Sequence, residues 1–162
     1  MIAILMGVAG SGKTTVGRAL AADLGWHFLD ADDFHPQANV AKMANGIPLT
    51  DEDRWPWLDR LVAELRQVRQ RGENAVLACS ALRQAYRDRL ASAGDVRFVY
   101  LKGNATTIEP RLATRVGYYM PLSLLASQFV TLEQPIDAIV VDIRQPVLAQ
   151  VAAIAAKLKA LA

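Results

Sequence analysis

Gly7-Val-Ala-Gly-Ser-Gly-Lys13-Thr14 spells G-x-x-x-x-G-K-[ST], a spacing that lets backbone amides curl around phosphate oxygens. Glycines keep side chains out of that cradle, and the helix that follows aims its positive dipole end at the same anion. The candidate nucleotide-binding residues are therefore Gly7, Gly10, Ser11, Gly12, Lys13, Thr14 and Thr15. Lys13 is suited to the β- and γ-phosphates of ATP, and the Thr14 hydroxyl to Mg²⁺. A second group of chemistry-bearing residues follows in Phe28-Leu29-Asp30-Ala31-Asp32-Asp33. Period-two alternation in an extended chain puts Asp30 and Asp32 on one side, facing the loop. Asp30 could then hold a Mg²⁺-bound water, while Asp32 takes the proton of an attacking hydroxyl. The plainer alternative is a pair of acids that cap a turn.

Basic residues recur at later strand ends. Arg83 and Arg87 stand four apart beyond the third candidate strand, where a helix face would offer them to an anionic acceptor or simply to water. Arg111 and Arg115, also four apart, lead into Val116-Gly117-Tyr118-Tyr119, and a lid over about 111–121 would bring their charge to a transferring phosphoryl group. Pro146, in the turn after the fifth candidate strand, is a candidate for contact with the adenine ring. The third strand lacks the terminal Asp of a Walker B segment, and N-K-x-D is missing. Acid chemistry therefore falls to Asp30 and Asp32, as in small-molecule kinases rather than motor ATPases or guanine-nucleotide switches.

These residues need strands and helices to hold them. Apolar runs at Ile2–Met6, His27–Asp30, 75–79, 96–101 and 138–142 read as strands, and periodic segments at 15–24, 56–71, 81–93, 105–115 and 147–161 as helices. Such alternation predicts an α/β fold, a doubly wound five-stranded parallel sheet with ligands gathered at the carboxyl ends of its strands. At 162 residues the chain is expected to form a single domain with a sizeable core. A net charge of +2 is too small to suggest nucleic acid or a membrane surface as partner, and no apolar run reaches membrane-spanning length. The amino terminus shows no leader-like segment, and the single Cys79 fits a reducing compartment, so a cytoplasmic protein is expected.

Beyond the phosphate loop, Asp32-Asp-Phe-His-Pro36, Asn39, Lys42-Met43, Gly46-Ile-Pro-Leu-Thr-Asp-Glu-Asp-Arg54 and Trp57-Leu58 follow in order. Cys79-Ser-Ala-Leu-Arg83, Tyr86-Arg87, Tyr100-Leu-Lys-Gly103, Ser127-Gln-Phe129 and Leu132-Glu133 come later. Over essentially its whole length the chain resembles the gluconate kinases (gluconokinases) of the small phosphate-loop kinase family. The resemblance implies a P-loop NTPase fold like that of the nucleoside monophosphate kinases. It also implies transfer of the ATP γ-phosphoryl group to the 6-hydroxyl of D-gluconate, a lid, and a homodimer. An acceptor segment over about 33–55 would then supply His35, Lys42 and Arg54, with Arg83 beyond it and Asp32 at the reacting hydroxyl. Relatives carry R-x-G-H-F in the lid, where this chain has Arg115-Val-Gly-Tyr-Tyr119. Another small-acceptor kinase, such as a shikimate kinase, and a catalytically silent nucleotide-binding module are the alternatives.

Overall fold

In a computed structural model, residues 1–115 and 122–162 of the chain are described. The sheet is built around β1 (Ile2–Met6), every residue of which is buried. Ile2, Ile4 and Met6 enter one apolar layer and Ala3 and Leu5 the other, as alternation requires of a strand covered on both faces. β2 (His27–Asp30), β3 (Ala75–Ala78), β4 (Val96–Lys102) and β5 (Ile139–Asp142) complete a sheet ordered β2-β3-β1-β4-β5, with all pairings parallel. β1 leads on to β2 at one edge of the sheet, whereas its neighbours β3 and β4 lead on toward the opposite edge. The loop that leaves β1 therefore opens at the switch point where parallel sheets bind ligands.

Helices cover both faces. α1 (Lys13–Leu24), α5 (Ala105–Ala113), α6 (Leu122–Thr131) and α7 (Val147–Ala160) pack on the Ala3 and Leu5 side. On the other side lie α3 (Asp51–Gln70) and α4 (Gln84–Ala91). A 3-10 turn (Ala31–Phe34) and α2 (Gln37–Ala44) bridge β2 to α3. No described helix is long and apolar enough to cross a membrane.

The strand boundaries agree with the sequence to within one residue, but several helices do not. α3 begins at Asp51 rather than at 56, because Thr50 and Asp53 form a capping box: the Thr50 hydroxyl accepts from Asp53 N–H and the Asp53 carboxylate accepts from Thr50 N–H. Pro56 thus lies inside the helix, where a missing N–H costs about 3 kcal/mol. Burial of Trp57, Leu58, Leu61, Val62, Leu65 and Val68 outweighs that, at about 1.5–3 kcal/mol for each large apolar side chain. α4 starts at Gln84, not at 81, since Ala81 takes a left-handed φ of 45° and Arg83 is extended. Arg83 and Arg87 consequently do not share a helix face. α5 stops at Ala113, two residues short of the expected end. α2 and α6 have no counterpart among the expected helices.

Candidate active site

The phosphate loop leaves the buried end of β1 under tight steric control. Gly7 has φ 145°, and a Cβ there would lie 2.8 Å from Ser11 Oγ and 2.9 Å from the Leu101 carbonyl. Gly10 has φ 76°, and a Cβ would meet the Leu112 side chain of α5 at 2.9 Å. Any larger residue at either position would open the turn. Ser11 is wholly buried, and its Oγ has no hydrogen-bond partner among the described residues. A narrow glycine cradle with an unsatisfied hydroxyl at the start of α1 fits a phosphate chain. Gly12 caps α1, and Lys13 and Thr14 open it, whereas Thr15 is exposed on its surface.

Lys13 Nζ donates to the carbonyls of Gly7 and Val8 at 3.1 and 3.0 Å. Burial lowers its pKa to about 8, against the raising influence of Asp32 and Asp30, and the charge of Arg115 lowers it further. A depressed lysine pKa means that the free protein loses this positive charge as the pH rises through about 8. We expect kcat/KM for ATP to fall across that value, while kcat holds to higher pH because bound polyphosphate favours the ammonium. A profile of kcat/KM that stays flat from about pH 7 to pH 10 would remove Lys13 from nucleotide capture.

Asp30 and Asp32 come together by a route other than the one expected. The extended chain ends at Asp30, and Ala31–Phe34 coils into the 3-10 turn, so strand alternation does not relate the two acids. Asp30 caps that turn instead, its Oδ1 accepting from Asp32 N–H at 3.0 Å. Its Oδ2 accepts from the Thr14 hydroxyl at 3.3 Å, which joins the turn to the phosphate loop. Capping and a second-strand carboxylate are thus the same residue. Thr14 and Asp30 present hard oxygens side by side, a donor set that suits Mg²⁺. Desolvation, and then the neighbouring Asp30 charge, raise the pKa of Asp32 above its ordinary value, with Lys13 opposing. The Asp32 side chain is 87% open to water.

His35 lies flat on Trp57, with ring centroids 4.2 Å apart, and Trp57 Nε1 donates to the Ala31 carbonyl at 2.7 Å. Burial and then the Arg54 charge lower the His35 pKa, which favours the neutral ring. Its Nε2 stands 3.9 Å from Asp32 Oδ1. Lys42 donates to both carboxylate oxygens of Asp53, at 2.9 and 2.7 Å, and so pins α2 to the start of α3. Arg54 donates to the Leu49 carbonyl at 2.7 Å and lies 3.9 Å from Asp51. Arg83 reaches the same Asp51 at 3.0 Å. Lys42, Arg54 and Arg83 are thus each paired with a carboxylate, Asp53 for the first and Asp51 for the other two.

Asp51 was not singled out as a site residue, yet it gathers Arg54, Arg83 and the Tyr86 hydroxyl. The Tyr86 hydrogen bond, followed by the two arginines, holds its pKa below the usual carboxylate range. Its signal in the sequence was the Thr50-x-x-Asp53 box, which places Asp51 in the first turn of α3. Arg87 is 2% exposed and belongs to packing, not to a solvated face: it donates to the carbonyls of Ala81, Leu82 and Glu133. Cys79 is buried, and burial pushes its thiol up to about 12, which disfavours the nucleophilic thiolate. Arg111 donates to the Ile143 carbonyl at 2.7 Å, on the side of the sheet where Pro146 caps α7. Arg115 lies close enough to act electrostatically on both Lys13 and Asp32. The remainder of the expected lid, residues 116–121 with Gly117, Tyr118 and Tyr119, lies outside the described residues.

The chain is similar to several known proteins over most of its length. A family profile described as an AAA domain matches residues 2–150. Gluconokinase of Gluconobacter oxydans (strain 621H) is 49% identical over 137 residues, covering 83% of this chain and 76% of its own. The chain belongs to the gluconokinase family. The thermosensitive gluconokinase of Escherichia coli (strain K12) is 47% identical over 133 residues, covering 82% of this chain and 71% of its own. The crystal structure of a gluconokinase from Sinorhizobium meliloti 1021 superposes with a TM-score of 0.88 at 41% identity, over 99% of this chain and 92% of the other. Family membership agrees with the five-stranded parallel architecture and with a phosphate loop devoted to phosphotransfer.

Proposed function

We propose that the protein is a gluconokinase that transfers the γ-phosphoryl group of ATP to the 6-hydroxyl of D-gluconate, giving 6-phospho-D-gluconate. The observation that carries this reading is the meeting of the phosphate loop with the Asp30–Asp32 turn through the Thr14–Asp30 hydrogen bond. It sets a nucleotide cradle directly beside the Asp32 carboxyl group. Lys13 and the loop amides hold the β/γ-phosphates, with Gly7, Gly10, Ser11 and Gly12 shaping the turn and Thr15, exposed in the first turn of α1, beside the nucleotide. Thr14 and Asp30 would hold Mg²⁺, the latter through water; when bound, the ion neutralises phosphate charge. Asp32 orients the acceptor hydroxyl and takes its proton. Arg115, with Arg111 behind it, supplies positive charge to the transferring group, and Pro146 borders the adenine.

Gluconate is held by a subset of His35, Lys42, Arg54 and Arg83; pairing with Asp51 and Asp53 keeps the three cations ordered, and stacking on Trp57 does so for His35. High identity to several gluconokinases supports this acceptor over shikimate or a silent module. A cytoplasmic homodimer completes the reading and is supported by family resemblance.

Acceptor preference tests it. Coupled ADP release with gluconate, glucose and shikimate on one preparation should give the highest kcat/KM for gluconate. Losing a charge-assisted bond to the carboxylate costs about 1.5–3 kcal/mol, so glucose should trail by roughly ten- to a hundredfold per bond. Glucose matching gluconate would overturn the sugar-acid reading, and shikimate ahead of both would assign the protein to another kinase class.

A further inference from the structure

α6 carries contacts that the nucleotide and acceptor residues leave unexplained. Leu125 is buried in the core, and Phe129 and Leu132 pack against the same cluster. Gln128, three residues after Leu125 and four before Leu132, falls on that inward stripe. An amide there has a partner far away in sequence: its Oε1 accepts from Ala9 N–H, in the phosphate loop, at 2.7 Å. The Ala9 N–H and the Val8 carbonyl belong to one planar peptide unit, and that carbonyl accepts from Lys13 Nζ at 3.0 Å. Holding the N–H therefore also sets the direction of the oxygen that Lys13 contacts.

The segment that follows the C-terminus of α6 reaches the acceptor side. Glu133 Oε2 accepts from Gln84 N–H at 2.5 Å, at the first residue of α4, a helix whose own N-cap supplies no side-chain bond. A carboxylate suits this end of a helix dipole. The Glu133 backbone is held as well, its N–H donating to the Leu82 carbonyl and its carbonyl accepting from Arg87. Arg83, which caps α4, lies 4.0 Å from Glu133 Oε1.

We propose that Gln128 and Glu133 are positioning residues that make the C-terminal part of α6 and the segment after it a tie between the two halves of the site. Gln128 fixes the peptide plane of the phosphate loop, and Glu133 fixes the start of α4 and with it Arg83. The inference rests on the phosphotransfer reading above.

The two residues should divide by substrate. In the full chain, Gln128→Met removes the acceptor at similar volume. It is expected to weaken ADP binding, measured by calorimetry, about tenfold, and to lower kcat, while the gluconate KM stays within about twofold. Glu133→Gln should do the reverse, raising the gluconate KM about fivefold and leaving ADP affinity unchanged. If Gln128→Met fails to fold, Gln128→Asn, which withdraws the carbonyl by one methylene, should show the same split. ADP affinity within about twofold of wild type in the Gln128 variant overturns the proposal. So does parallel weakening of both ligands together with a lower Tm, which would mark mere packing. A wild-type protein that binds ADP but does not phosphorylate gluconate would sink the function reading, and the ADP arm would still judge Gln128.

Discussion

Lys13→Met should lower kcat by about three orders of magnitude, some 4 kcal/mol of barrier, without unfolding the protein. Phosphoryl transfer relies on placed charge rather than covalent help, and an ammonium in a desolvated cradle acts far more strongly than one in water. Lys13 is such a group: it is bonded to the Gly7 and Val8 carbonyls, with the charges of Asp30, Asp32 and Arg115 within reach. Its pKa of about 8 also means that folding disfavours the charged form. Removing it should consequently leave Tm unchanged or raise it. A variant with kcat within about tenfold of wild type would show that the loop amides carry the phosphate charge by themselves.

Asp32→Asn is expected to cost about a hundredfold to ten-thousandfold in kcat, with ATP affinity within a few-fold of wild type. The amide keeps the size of the side chain but cannot take a proton. The backbone N–H of residue 32, which bonds to Asp30, is untouched by the change. Asp30→Asn offers the contrast: Asp30 accepts from both Thr14 and the Asp32 amide, so its loss should disturb nucleotide binding as well as rate. Single-turnover rates and ATP dissociation constants measured on both variants separate the roles. Near-normal turnover of Asp32→Asn would leave that residue an orienting group and move the proton elsewhere.

Some of this site was legible because it is local. The run from Ile2 through Leu24 is strand, loop and helix in unbroken order, and its glycine spacing states the loop geometry outright. Asp30 and Asp32 were found for a reason that the fold does not use. The short side chain of Asp30 turns back to bond the Asp32 amide, a capping preference that ends the strand before alternation can act. Thr50 and Asp53 carry a readable capping box, but Pro56 beyond it mimics a helix start and the apolar stripe begins only at Trp57. α2 is short and only Asn39 of it is buried, so it left no apolar period to detect.

The sequence by itself determined the parallel α/β architecture, the phosphate loop with Lys13 and Thr14, and the two acids beside it. Backbone conformation at glycines and alternation along strands depend on near neighbours, and near neighbours are written next to one another. Which charges meet was decided only by the tertiary structure. Lys42 faces Asp53, Arg54 and Arg83 share Asp51, and Arg87 is buried beneath Glu133. Gln128 reaches Ala9 across 119 positions of chain. A cation in a sequence has many possible partners, and the choice falls to whichever carboxylate or carbonyl the stacked helices carry within about 3 Å of it. Burial then makes that choice binding, because a polar group taken out of water without a partner costs more than the pairing returns.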